Sequence, residues 1–128
     1  MTNVKVQSIY LIVGDFGASV RFYRTLLGRK ETVVMDWGPP GHQGAFFEID
    51  GGITFIVSFE GQHPALAGRQ RMWFELERDD PAAIENDLRS EGFQCARGVH
   101  TTEAGSRAIT ALDPDGNEVR IGTRWSLP

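Results

Sequence analysis

Apolar and polar positions alternate along Arg107 to Leu112 and again along Glu118 to Gly122. That period of two predicts two half-buried antiparallel strands. Between them, Asp113-Pro114-Asp115-Gly116-Asn117 reads as a tight turn. Proline presets φ at a corner, glycine takes positive φ freely, and Asp and Asn side chains bond nearby backbone N–H groups. Earlier, Val4 to Val13 reads as a strand with Ile9, Leu11 and Val13 on one face and Val6, Ser8, Tyr10 and Ile12 on the other. Asp15 is a candidate helix cap, and Phe16, Val20, Tyr23 and Leu27 recur at helical spacing up to Gly28, a helix-ending glycine. A strand follows over Glu31–Trp37, then a Pro- and Gly-rich loop over 38–44. Strands over Ala45–Ile49 and Ile53–Phe59 flank an Asp50-Gly51-Gly52 hairpin turn.

The second half of the chain repeats this order. Glu60 to Gln70 is polar and broken by Gly and Pro, as in a linker. Arg71 to Glu77 alternates again, with Met72, Phe74 and Leu76 against Arg71, Trp73, Glu75 and Glu77. Asp80-Pro81 marks a helix start, Ile84 and Leu88 its apolar face, and Gly92 its end, before a strand over Gln94–Thr102 and the closing hairpin. A repeat at this scale outranks local propensity as evidence of architecture. It predicts an α+β fold. Two βαβββ repeats would form a curved mixed sheet around a central cavity, with the helices on the outer face. The expected division is one domain over 1–128, with repeat one at 4–60, a linker at 61–70 and repeat two at 71–124. Spacing pairs Ser8 with Arg71, and Ile56 with Arg120.

The 128 residues suffice for one domain with a real core, and 41% hydrophobic with 23% charged residues is an ordinary globular balance. A net charge of −4 argues against nucleic-acid binding. The single Cys95 excludes an internal disulfide framework. The first residues hold no signal-peptide core and no apolar run approaches membrane-spanning length, so the expectation is a cytoplasmic protein without membrane contact.

Three features together carry a family resemblance. They are the first strand leading to Asp15, the run Ser19-Val20-Arg21-Phe22-Tyr23 followed by Leu27-Gly28, and Asp113-Pro-Asp-Gly-Asn117 with its closing strand. On these the chain resembles the vicinal oxygen chelate superfamily of glyoxalases, extradiol dioxygenases, fosfomycin-resistance enzymes and bleomycin-resistance proteins. The resemblance covers nearly the whole chain. It implies that a metal site, where present, draws ligands from the first and last strand of each half. The matching positions here are Ser8, Ile56, Arg71 and Arg120. None supplies a nitrogen or carboxylate oxygen for a divalent ion, and Arg cannot give up its proton. No metal and no other cofactor is therefore expected. His42, His63 and His100 share no spacing and read as solvent-facing loop or strand-end residues, and Cys95 reads as an ordinary buried thiol.

Counted by strand parity from the ligand positions that the resemblance implies, Ser8, Tyr10, Thr54, Ile56, Ser58, Arg71, Trp73, Glu75, Glu118 and Arg120 fall on the inner face, with Trp37 as a pocket lip. Aromatics mixed with a few charges suit a flat, partly polar ligand, and Arg71, Glu75 and Arg120 are poor core fillers. The candidate ligand-binding set is Ser8, Tyr10, Trp37, Ile56, Arg71, Trp73, Glu75, Glu118 and Arg120. One reading is a metal-free homodimeric binding protein that sequesters an aromatic or peptide-like antibiotic, as the resemblance to bleomycin-resistance proteins implies. The alternative is a lyase, isomerase or dioxygenase-like enzyme with an atypical metal or an acid–base pair such as Glu75 with His42. A third is a cavity simply filled by side chains. If Arg71 and Arg120 converge, an anion must lie between them: Glu75, Glu118 or a ligand group.

Overall fold

The computed structural model describes residues 2–36, 41–60, 67–71 and 73–125, excepting the side chains of 33–35 and 60. Trp37, His63 and Met72 lie outside the described residues. The chain runs β1 (Ser8–Ile12), α1 (Phe16–Leu27), β2 (Val33–Asp36), β3 (His42–Ile49), β4 (Ile53–Glu60), then β5 (Phe74–Glu77), α2 (Pro81–Ser90), β6 (Gln94–Thr101), β7 (Arg107–Leu112) and β8 (Glu118–Gly122). This is an α+β fold of two βαβββ units. Each unit makes a four-stranded mixed sheet, in the orders β1-β4-β3-β2 and β5-β8-β7-β6. In both, the first and last strands pair in parallel and the others antiparallel. A parallel pair cannot be joined by a tight turn, and the intervening helix supplies the crossover.

The helices form where the pattern predicts them. Asp15 accepts the Ala18 N–H at 3.1 Å, and Gly28, at φ 65°, ends α1 in a conformation that penalises any Cβ. Val20, Phe22, Tyr23 and Leu26 are the buried face of α1. At α2, Pro81 occupies the first turn as expected, but Asp80 makes no capping bond. Its carboxylate turns to the Arg78 guanidinium at 2.8 Å, a charge-assisted bond stronger than a neutral cap. Among the described residues no helix is long and apolar enough to cross a membrane.

One core joins the halves. Leu11, Phe47, Phe55 and Val57 of the first sheet cluster with Phe74, Ile109, Val119 and Ile121 of the second and with Ile84 and Leu88 of α2. Phe55 meets Phe74 edge-on at 5.8 Å across the seam. The second tie is polar. Asp113, almost fully buried, accepts the N–H groups of Asp115 and Asn117 at 3.0 and 2.8 Å through Oδ1. Through Oδ2 it accepts the Asn117 side-chain amide at 3.0 Å and the Tyr23 hydroxyl at 2.7 Å. The predicted turn thus forms around Asp113, with Gly116 at φ 86°, and is bolted to the helix of the other half.

The strands depart from expectation in two places. β1 begins at Ser8, not Val4, because the bond from Thr54 N–H to Gln7 carbonyl is the last its partner strand offers. Residues 2–7 are exposed, Val4 at 89%. Conversely β3 starts at His42, inside the expected loop. Gly44 keeps its N–H and pairs with both Met35 and Ser58, so glycine does not interrupt the ladder here. His42 is consequently buried rather than solvent-facing.

Candidate ligand pocket

Strand register decides which side chains share a face. In the first sheet Tyr10, Ile56 and Phe46 lie abreast, on the side away from Leu11, Val57 and Ala45 of the core. Ser8 with Thr54, and Ile12 with Ser58, flank that row on the same face. All three members of the row are half-buried. Tyr10 donates its hydroxyl to the fully buried Ser58 Oγ at 3.0 Å, and Ser58 donates onward to the Gln43 carbonyl at 3.1 Å. That chain ties the Tyr10 ring to β4 and β3.

In the second sheet Glu75, Arg120 and Thr110 lie abreast, opposite Leu76, Ile121 and Ile109 of the helix side. Glu75 is the hub. It receives the Trp73 indole N–H at 3.3 Å, the Trp125 indole N–H at 2.9 Å and Arg120 Nη1 at 3.4 Å. The Arg120 guanidinium also stacks over the Trp73 ring at 5.2 Å from its centroid. Arg120 Nε is buried and finds no acceptor among the described residues. A buried donor without a partner costs about 1–3 kcal/mol. Trp73 and Trp125 stay 50% and 45% exposed, so the described residues do not close a cavity around them.

The register also corrects the repeat. Tyr10 faces Ile56 and Glu75 faces Arg120, and both precede their helices by the same interval. Ser8 therefore corresponds to Trp73, and Arg71 lies two residues outside the site. Arg71 donates to the carbonyls of Gly68 and Gln70 at 3.0 and 3.1 Å, at the end of the linker, and Arg120 pairs with Glu75. The expected arginine pair is replaced by Arg120 with Glu75, and Glu118 stays exposed. The error escapes sequence reasoning because an offset of two preserves strand parity. Trp125, which completes the cluster from beyond the last strand, gave no signal in the sequence pattern.

The four strand positions equivalent to a metal site are thus Ser8, Ile56, Trp73 and Arg120. A hydroxyl, an aliphatic chain, an indole and a guanidinium do not make a divalent-cation site. His42 lies on β3 and Glu75 on β5, in different sheets. His100 is half-buried on β6, with Nδ1 2.8 Å from the Gly98 carbonyl. Cys95 is half-buried on the same strand, and burial pushes its thiol pKa up, with a further push from Glu85 and an opposing pull from Arg89.

The profile of the Glyoxalase/Bleomycin resistance protein/Dioxygenase superfamily matches residues 5–121. The chain belongs to this superfamily. Among solved structures it is similar to a glyoxalase/bleomycin resistance protein from Catenulispora acidiphila, at 27% identity and a TM-score of 0.66, covering 94% of this chain and 99% of that one. A glyoxalase-related enzyme from Fulvimarina pelagi matches at 21% identity and TM-score 0.72, over 94% and 88%. Glyoxalase I from Zea mays matches at 17% identity and TM-score 0.71, over 97% of this chain and 46% of that one, so the chain spans about half of that enzyme. No match was found among curated proteins.

Proposed function

We infer that this superfamily member is a metal-free small-molecule binding protein. It acts as a homodimer and sequesters an aromatic or peptide-like ligand, an antibiotic among them. The observation carrying this reading is the cluster of Trp73, Glu75, Arg120 and Trp125 on the face away from the core. It offers two half-open indoles and one buried, unused Arg120 N–H. Indoles bind flat rings by stacking, and the free guanidinium donor suits a carboxylate, phosphate or carbonyl oxygen. The half-buried Tyr10, Ile56 and Phe46 give an apolar counter-surface, and a second copy would bring one face over the other. Homodimers closed by a two-fold axis are the commonest way to complete such a site.

The test is fluorescence and calorimetric titration of the purified chain with bleomycin, mitomycin and related aromatic antibiotics. Trp73→Ala should weaken binding at least tenfold without altering its salt dependence. Arg120→Ala should weaken it through the lost anchoring donor. Should every ligand of the panel bind wild type and Trp73→Ala equally, the cluster is not the site.

A further inference from the structure

The polar row of the second sheet does not stop at Thr110. Glu75, Arg120 and Thr110 lie abreast, and Thr110 pairs in turn with Arg97 of β6. Residues opposite one another in a ladder put their side chains on the same face. Arg97 therefore stands on the face of Glu75 and Arg120, away from the core. Plain alternation along β6 would not put it there, because Cys95 and Val99, two residues to either side, both pack against the core. The register of β6 shifts between Cys95 and Arg97 and again between Arg97 and His100. An extra residue in a strand re-aims the side chains beside it, and here it turns Arg97 alone to the pocket face.

The two halves differ at this row. In the first sheet the equivalent positions hold Tyr10, Ile56 and Phe46, and in the second Glu75, Arg120 and Thr110, extended by Arg97. Neighbouring strands lie about 4.8 Å apart, which puts the Cα atoms of Arg97 and Arg120 about 10 Å apart across Thr110. Arg120 is neutralised by Glu75 through Nη1, while its Nε has no acceptor among the described residues. Arg97 is exposed and makes no hydrogen bond or ion pair among the described residues. Glu118 shares the face but stands opposite Leu112, in the adjacent row, and does not pair with Arg97. Thr110, only 6% exposed, adds a hydroxyl between the two arginines. The row thus holds one cation more than it holds anions, beside a buried guanidinium N–H and a hydroxyl.

We propose that Arg97, Thr110 and Arg120 form an oxyanion subsite, and that the ligand of this pocket is an aromatic compound carrying a carboxylate or phosphate. The ring stacks on the exposed indoles of Trp73 and Trp125, and the oxyanion sits over Thr110 between the two arginines. A guanidinium presents paired N–H donors that match two oxygens of one such group, and the bonds are charge-assisted. Glu75 holds Arg120 at the β5 side, so Arg97 supplies the net positive charge that the anion answers. The inference rests on the aromatic-ligand reading of the preceding section and names the charged group that the ligand bears.

The test is calorimetric titration with three probes that share one ring system: naphthoate, naphthyl phosphate and the uncharged naphthamide. At low salt at least one of the two anions should bind wild type at least tenfold tighter than the amide, and the tighter anion names the group. Added salt should narrow that gap. Arg97→Gln should remove most of the preference, and Arg97→Lys should keep part of it, since the charge stays and the fork is lost. Arg97 is exposed, so folding is not at risk, and an unchanged melt checks this. Anions and amide binding wild type equally, or an anion preference that survives Arg97→Gln, overturns the oxyanion subsite and leaves the aromatic pocket standing. A wild type that binds none of the three probes overturns both.

Discussion

Tyr23→Phe removes one oxygen and tests the polar bolt between the halves. The Tyr23 hydroxyl is buried and donates to Asp113 at 2.7 Å, joining residues 90 positions apart. A hydrogen bond to a charged acceptor is worth about 1.5–3 kcal/mol. Phenylalanine keeps the ring contacts with Phe22 at 4.9 Å and Phe55 at 4.8 Å, so no cavity term adds. The expected loss is about 2 kcal/mol, which for a chain of this size lowers Tm by roughly 6–10 °C. Asp113→Ala should cost more, because it also removes the bonds that Asp113 accepts from the buried N–H and side-chain amide of Asn117. The double variant should show strong coupling. An alkaline arm adds a second readout. Burial first, then the charge and hydrogen bond of Asp113, push the Tyr23 pKa far above its ordinary value. A raised folded pKa contributes stability that is full below the unfolded value near 10 and is lost as pH rises beyond it. Wild type should therefore lose up to about 1.4 kcal/mol per pH unit from this group above pH 10, and Tyr23→Phe should lack that slope. The assay is urea unfolding from pH 7 to 11. A Tyr23→Phe variant within 0.5 kcal/mol of wild type at pH 7, a margin well below the bond's expected worth, would refute the bolt.

Three further outcomes are expected. Gly122→Ala should fail to fold or express as inclusion bodies, because a Cβ there would run into the Arg107 carbonyl and Ala108 of the neighbouring strand. Soluble protein with an unchanged melt would contradict that packing. Burial, with the charges of Asp113 and Asp15, raises the Asp115 pKa, against the Gly14 N–H and Arg71, which lower it. The stability linked to it is full below the usual carboxylate range and lost as pH rises, so Asp115→Asn should melt higher than wild type at pH 7 and converge with it near pH 3. A gap that widens toward acid would reverse the assignment. Protein dialysed without chelator should hold far less than one Zn, Ni, Mn or Fe per chain by plasma mass spectrometry, given Ser8, Ile56, Trp73 and Arg120 at the four positions. Stoichiometric metal would relocate the site.

The repeat, both helices, the central strands and the turn at Asp113 were legible because each rests on local rules: period two, period 3.6, a cap, a positive-φ glycine. The sorting of faces was legible for the same reason, and it survived even a two-residue error in aligning Arg71 with Ser8. The ends of β1 and β3 were not legible. A strand stops where its neighbour stops, and Val4 and Val6 carry a strand pattern with no neighbour to pair.

By itself the sequence determined the topology and the chemical character of the inner face, since alternation and turn chemistry are encoded residue by residue. Only the tertiary structure decided who meets whom. It set Trp73 rather than Arg71 beside Arg120, made Glu75 the shared acceptor, and brought Trp125 back from the chain end. Those choices depend on inter-strand register and on where the tail runs, distances between residues about 45–50 positions apart that no local pattern specifies.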